Sequence, residues 1–300
     1  RPASNTTDGR NDTITLQVTV TDGDGDIAQQ SVKVNTVAGP LFNDAPSGGS
    51  SVVTTDEGNI PGMGSQHETS ATQPFGAATD GSFKMELHGA DATVSIGGTE
   101  LKVENGKLYH NGVEVTADAA VSVPGGAHGT LTVTGMDADG TVHYTYTLTA
   151  PVDATGNASN RPGEGDAGRG EAVHADAFDV TITTTGGTAT GQITVDALDD
   201  APVLSTLDTT QTTVADGEAA LTGTLSFTPG ADAEGAQVTV EVEGQTFTGT
   251  KGENGWMFTG GSDGSSFQLN GTAFTYTRPA SNTTDGRNDT ITLQVTVTDG

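Results

Sequence analysis

The sequence predicts an all-β fold of tandem β-sandwich modules. Three observations carry the prediction. Apolar residues recur at every second position in run after run, Gly-rich turn signals separate the runs, and a long segment of the chain occurs twice. Period-2 alternation puts one face of each strand in a core and the other in water, as in an antiparallel sheet buried on one side.

Taken in order, Ile14, Leu16, Val18 and Val20 alternate with Thr and Gln. Leu131 and Val133 face Val142, Tyr144 and Tyr146 across the turn Met136-Asp137-Ala138-Asp139-Gly140. Phe178, Val180 and Ile182 form the next run, followed by Val238, Val240 and Val242, then Phe274 and Tyr276. The opposite faces are mostly Thr, a residue that suits a pleated surface. Asn-Gly pairs at 105, 111, 254 and 270 and Asp-Gly pairs at 80, 139 and 263 supply hairpin turns. No convincing helical period appears. Short strands at this spacing read as a β-sandwich, and a barrel or β-solenoid is the alternative. Trp256 and Met257 are expected to pack in a core.

Residues 1–23 and 278–300 are identical, RPASNTTDGRNDTITLQVTVTDG, at an offset of 277. Strands tolerate many substitutions, so identity of this length reflects duplication and an array of long units. Phe42 to Ser47 (FNDAPS) and Leu198 to Val203 (LDDAPV) read as two copies of one linker. Their proline cannot donate to a ladder and extends the residue before it, which suits a junction. The expected organisation is the C-terminal part of a preceding sandwich in 1–42, module A in 43–200 and a truncated module B in 201–300. Module A is expected to carry a long loop over 149–177 and an insertion-like stretch from Gly58 to Phe83. Residues 278–300 are expected to lack the last strand of module B, and 1–42 contain one. Strand exchange between truncated copies is therefore expected.

Acidic residues number 39 against 11 Lys and Arg, a net charge of −28. That excludes a nucleic-acid backbone as partner and argues against anionic membrane surfaces. It favours divalent cations. No apolar run is long enough to span a bilayer. There is no cysteine, hence no disulfide framework.

The leading candidate site is the turn holding Asp22, Asp24 and Asp26 between glycines. Glycine permits a tight curl that brings alternate carboxylates together. Their repulsion is relieved by a hard cation with many irregular oxygen ligands, and Ca2+ suits this better than Mg2+. A solvated acidic hairpin turn fits the same residues. The equivalent turn of module A, Thr184 to Thr188, has no aspartate. The linkers add Asn43, Asp44, Asp199 and Asp200. Asp56 and Glu57 follow the first linker, and Asp216 and Glu218 the second; an ordinary polar turn is the alternative for both. The six histidines, at 67, 88, 110, 128, 143 and 174, show no metal-ligand spacing. No nucleophile elbow, P-loop or cysteine nucleophile is present.

The ending VTVTDGDGDIA with NDAPS and TTDEGN resembles the repeat modules of giant bacterial adhesins exported by type I secretion, the RTX-type and biofilm-associated proteins. The resemblance covers both modules, most strongly their C-terminal hairpins and linkers. It implies immunoglobulin- or cadherin-like sandwiches joined end to end outside the cell, on the bacterial surface. It also implies calcium at Asp22, Asp24, Asp26, Asp199 and Asp200. The function it implies is a non-enzymatic extender, stiffened by calcium at acidic turns and inter-domain linkers and in contact with neighbouring repeats of the same chain. A glycan- or protein-binding role for module A is the alternative. The GGxGxD runs of a calcium β-roll are absent.

Overall fold

The computed structural model describes residues 13–21, 27–35, 37–45, 47–63, 76–152, 169–200, 202–209, 220–231, 235–253, 255–278 and 291–298. Among these the regular structure is strand, with two single turns of 3-10 helix. Among them, too, no helix is long and apolar enough to cross a membrane. The chain divides into two compact units. One holds Arg1–Thr54, Ala78–Thr147 and His174–Asp196, and the other Thr55–Ala77, Leu148–Val173 and Ala197–Gly300.

The first strands, β1 (Thr13–Thr21) and β2 (Ile27–Asn35), form a two-stranded antiparallel hairpin with Leu16 opposite Val32. Ten further strands follow: β3 (Leu41–Phe42), β4 (Gly49–Asp56), β5 (Ala78–Glu86), β6 (Ala92–Ile96), β7 (Thr99–Glu104), β8 (Lys107–His110), β9 (Val113–Glu114), β10 (Val121–Val123), β11 (Gly129–Met136) and β12 (Thr141–Leu148). The long pair β13 (Arg169–Thr184) and β14 (Gly187–Asp200) comes next. Two sheets result, ordered β10-β11-β12-β5-β3 and β4-β14-β13-β6-β7-β8-β9.

Alternation explains their contact. Phe83, Leu131, Val133, Val142 and Tyr146 from the first sheet are buried, as are Val94, Ile96, Leu101, Val180 and Ile193 from the second. Tyr146 meets Phe178 edge-on across the gap, with ring centroids 6.3 Å apart. The structure is thus a β-sandwich, as the alternation predicts. The Asn-Gly pairs at 105 and 111 have positive φ at both residues, the conformation that joins strands by a two-residue turn. Met136 to Gly140 forms a plain hairpin turn closed by Asp137 N–H donating to Thr141 O at 2.8 Å.

Two expectations change here. The stretch from Gly58 to Phe83 is not all insertion: Ala78–Glu86 is β5, paired with β12, and Phe83 is buried and stacks on Phe42. The loop expected over 149–177 gives way to strand at Arg169. The first segment is dense in Gly, Ser and Thr and the second in Gly, Ala, Asp and Asn, which masked the short apolar alternation inside them.

The second sandwich has β15 (Val203–Thr209), β16 (Ala220–Thr228), β17 (Gln237–Val242), β18 (Gln245–Gly252), β19 (Gly255–Gly260), β20 (Ser266–Asn270), β21 (Ala273–Thr277) and β22 (Leu293–Thr298). Its sheets are ordered β15-β16-β21-β20 and β19-β18-β17-β22. Leu221, Leu225, Phe267, Phe274 and Tyr276 of one sheet share a core with Val238, Val240, Val242 and Phe247 of the other. Trp256 packs at 5.1 Å against Phe227. Met257, expected in the core, is 65% exposed, because adjacent strand residues point to opposite faces. Arg278 closes this core's edge. Its guanidinium donates to both oxygens of Glu243, at 2.8 and 3.2 Å, and Tyr276 donates to the same carboxylate at 3.0 Å.

Candidate metal centre

The candidate centre is built where β4 and β14 end. Asp56 terminates β4, and its Oδ1 accepts from Gly58 N at 3.0 Å, capping the short turn Glu57–Asn59. That turn aims Glu57 inward. Glu57 Oε1 accepts from Asp200 N at 2.6 Å and Oε2 from Val152 N at 2.8 Å. Asp199 lies in phase with buried Ile193, Val195 and Ala197 on β14, so the alternation turns its side chain inward too. It is hydrogen-bonded to Glu57. All these residues that meet at Glu57 belong to the second unit.

Asp56, Glu57, Asp199 and Asp200 are each at most 1% exposed. Burial is the main reason that the Glu57 carboxyl is pushed up to about 9 from an ordinary 4.5. The Asp199 side chain adds to this, while the two main-chain amides pull the other way without prevailing. A carboxylate out of water is costly unless a proton or a cation neutralises it. Buried beside Asp199, the Glu57 carboxyl is therefore held toward its protonated form.

Among the described residues no three His, Asp or Glu side chains converge in metal-ligating geometry. The arrangement is an acidic pair flanked by two further buried aspartates, and the chemistry of that donor set, all hard oxygen, fits calcium. Asp22, Asp24, Asp26, Asp216 and Glu218 lie outside the described residues. Asn43 and Asp44 form a tight turn with positive φ at both. The Asn43 side chain is used locally: Nδ2 donates to Ser50 O and Oδ1 accepts from Lys84 N, both at 2.8 Å. Asp44 is exposed.

The sequence reading missed a further buried carboxylate, Asp176, in the first unit. It accepts from the main-chain amides of Ala127, His128 and Gly129 at 2.7 to 3.2 Å, and from the Tyr146 hydroxyl. Burial, reinforced by Asp176, pushes the Tyr146 hydroxyl's pKa up. The overlooked signal is phase: Asp176 is in step with Phe178, Val180 and Ile182. This carboxylate is fully served by donors and pins the loop before β11. A cleft in the first unit is lined by Lys84, Glu86, His88, Asp91, Asn105 and Asp139 among others, with no Phe, Tyr or Trp in its lining.

No family model and no curated protein matches the sequence. Among solved structures the chain is similar to the titin domains Z1Z2 in complex with telethonin, at 11% identity and a TM-score of 0.35, covering 88% of this chain and 96% of that one. It is also similar to the titin I-band fragment I67-I69, at 10% identity and a TM-score of 0.24, covering 96% of this chain and 73% of that one. A Ca2+-stabilized adhesin with which an Antarctic bacterium binds ice matches at 17% identity and a TM-score of 0.18, covering 96% of this chain and 81% of that one.

Proposed function

We propose that this chain is a non-enzymatic extender from the stalk of a large bacterial surface adhesin, in which modules 43–200 and 201–300 recur as an extracellular array and calcium stabilises their acidic junction segments. The observation that carries the reading is the burial of four carboxylates, Asp56, Glu57, Asp199 and Asp200, in the segments that follow β4 and close β14. Calcium would be held by Glu57 and Asp199, with Asp56 and Asp200 contributing charge. Bound there, it would supply the positive charge that the buried Glu57 carboxylate otherwise obtains from a proton. The 23-residue identity supports an array, since copying a module lengthens a stalk without new chemistry. The acidic surface, the absence of cysteine and the resemblance of the hairpin and linker motifs to type I-secreted adhesins agree with it.

Thermal unfolding with calcium at about 1 mM and with chelator tests the reading, because extracellular modules bind in roughly the 0.1–1 mM range. Calcium is expected to raise the midpoint of the wild-type chain and to leave an Asp199→Asn variant nearly unmoved. Equal midpoints for the wild type with and without calcium would refute the calcium-stabilised extender.

A further inference from the structure

The segment around Asn43 and Asp44, expected as a linker, is built into the first sandwich. Ala38 and Phe42 are buried, Phe42 completely. The Phe42 ring stacks on Phe83 of β5 with centroids 4.9 Å apart. It also lies against Gly49 of β4 and Gly191 of β14, and neither glycine has room for a Cβ beside the ring. One ring thus touches both sheets. Asn43 bridges them by hydrogen bonds. Its N–H donates to Lys84 O at 2.9 Å, its Oδ1 accepts from Lys84 N and its Nδ2 donates to Ser50 O, both at 2.8 Å. The positive φ of Asn43 and Asp44 turns the chain so that Phe42 and Ala45 exchange main-chain bonds at 2.8 and 2.9 Å. Upstream, Ala38 O lies against Gly186, in the turn between β13 and β14, where a Cβ would have no space. Residues 38–45 are therefore a clasp joining β3, at the edge of one sheet, to β4, at the edge of the other.

We propose that this clasp is an extension device: under tension it opens as a unit and lengthens the chain while the sandwich behind it stays folded. Its anchorage is slight beside that of the strand that carries the chain away. β3 has two ladder pairs, Leu41 with Glu86 and Phe42 with Met85, and lies at a sheet edge. β14 is 14 residues long and is held between β4 and β13. A load drawn through the chain acts on both, and the smaller set of contacts opens first, as a local unfolding. The core survives the opening. Phe83 keeps its place on β5 opposite Val142 and beside Tyr144, whose ring centroid is 6.4 Å away. β4 stays in the ladder beside β14 and takes up the load. The slack is the run from Ala38 to Gly48, which extends to at most about 40 Å. The socket formed by Phe83 and the two glycines is left for the Phe42 ring to re-enter, so the clasp recloses when the load falls. The source of the load rests on the extender reading. The clasp itself uses none of Asp56, Glu57, Asp199 and Asp200.

Stretching single molecules of the full chain, held at their two ends, tests it. The wild type is expected to show a reversible step of at most about 40 Å before the sandwiches unfold. A Leu41→Cys, Glu86→Cys chain, which contains no other cysteine, ties β3 to β5 when oxidised. Oxidation is expected to abolish that step and leave the later ones unchanged, and reduction to restore it. Phe42→Ala is expected to move the step to lower force, because the ring no longer holds both sheets. A wild-type record without the step, a step that persists in the oxidised variant, or a step force that Phe42→Ala leaves unchanged would each overturn the proposal. Records are taken in chelator as well as in calcium, so a failed calcium test leaves the clasp standing and a missing step leaves the calcium reading untouched.

Discussion

Glu57 shows how one side chain can make folding depend on protons or on metal. Its carboxyl is raised from 4.5 to about 9 by burial and by Asp199. The folded state therefore holds a proton that the unfolded state has released. The resulting stability is full below pH 4.5 and is lost as pH rises through about 9. In chelator, the unfolding midpoint of the second unit is expected to fall steadily across that window, and calcium is expected to flatten the fall by replacing the proton. A Glu57→Gln chain is expected to lose the pH slope, and an unchanged slope would mean that another group carries it. Asp176 makes the contrasting case. Three amides and a hydroxyl donate to it, and the side-chain NH2 introduced by Asp176→Asn would turn hydrogens toward donors. That change is expected to cost on the order of 3 kcal/mol in denaturant titration, against about 1 kcal/mol for Tyr146→Phe. Glu57, Asp199 and Asp200 were legible as acidic residues near linkers. Their meeting was not, because Glu57 and Asp200 are 143 positions apart and sequence spacing carries no information about a contact across that distance.

At the scale of strands, alternation located the inward residues well. Leu131, Val133, Val142, Tyr144, Tyr146, Phe178, Val180, Ile182, Val238, Val240, Val242, Phe274 and Tyr276 are all buried. It could not say whether a strand finds a core, and β1 and β22 prove the point with the same letters. Val295→Lys is expected to destabilise the second sandwich by roughly 2 kcal/mol, since it forces a charge into a packed face. Val18→Lys, at the identical position of the repeat, is expected to change the melting of the dilute chain by less than about 0.5 kcal/mol. A second device invisible to pattern reading is the seating of aromatic rings over glycines. Gly81 lies opposite Tyr144, Gly223 opposite Phe274 and Gly249 opposite Phe258. A Cβ at any of them would sit within 2.4 to 2.6 Å of a ring atom. Gly81→Ala is expected to cost about 1–3 kcal/mol through displacement of the Tyr144 ring.

For the whole molecule the governing quantity is charge. A net charge of −28 sets self-repulsion against folding, and any salt relieves part of it. A rise in stability with calcium is therefore not by itself evidence of a site. The distinction lies in stoichiometry and size. Screening depends on ionic strength and acts alike for sodium, magnesium and calcium at matched strength, whereas a buried oxygen-ligand site favours the ion that accepts many ligands in irregular geometry and sheds its water readily. If Glu57 and Asp199 hold the ion, calcium is expected to raise the melting midpoint well beyond sodium chloride of equal ionic strength, with magnesium falling between. The excess over sodium is expected to saturate at about millimolar concentration. Asp199→Asn removes one charge of the 39 acidic residues, too little to alter general screening. It should abolish the excess due to calcium while leaving the response to sodium intact. Should both responses survive that substitution unchanged, the effect of calcium belongs to the acidic surface as a whole, and the buried pair remains a proton-binding element of the fold.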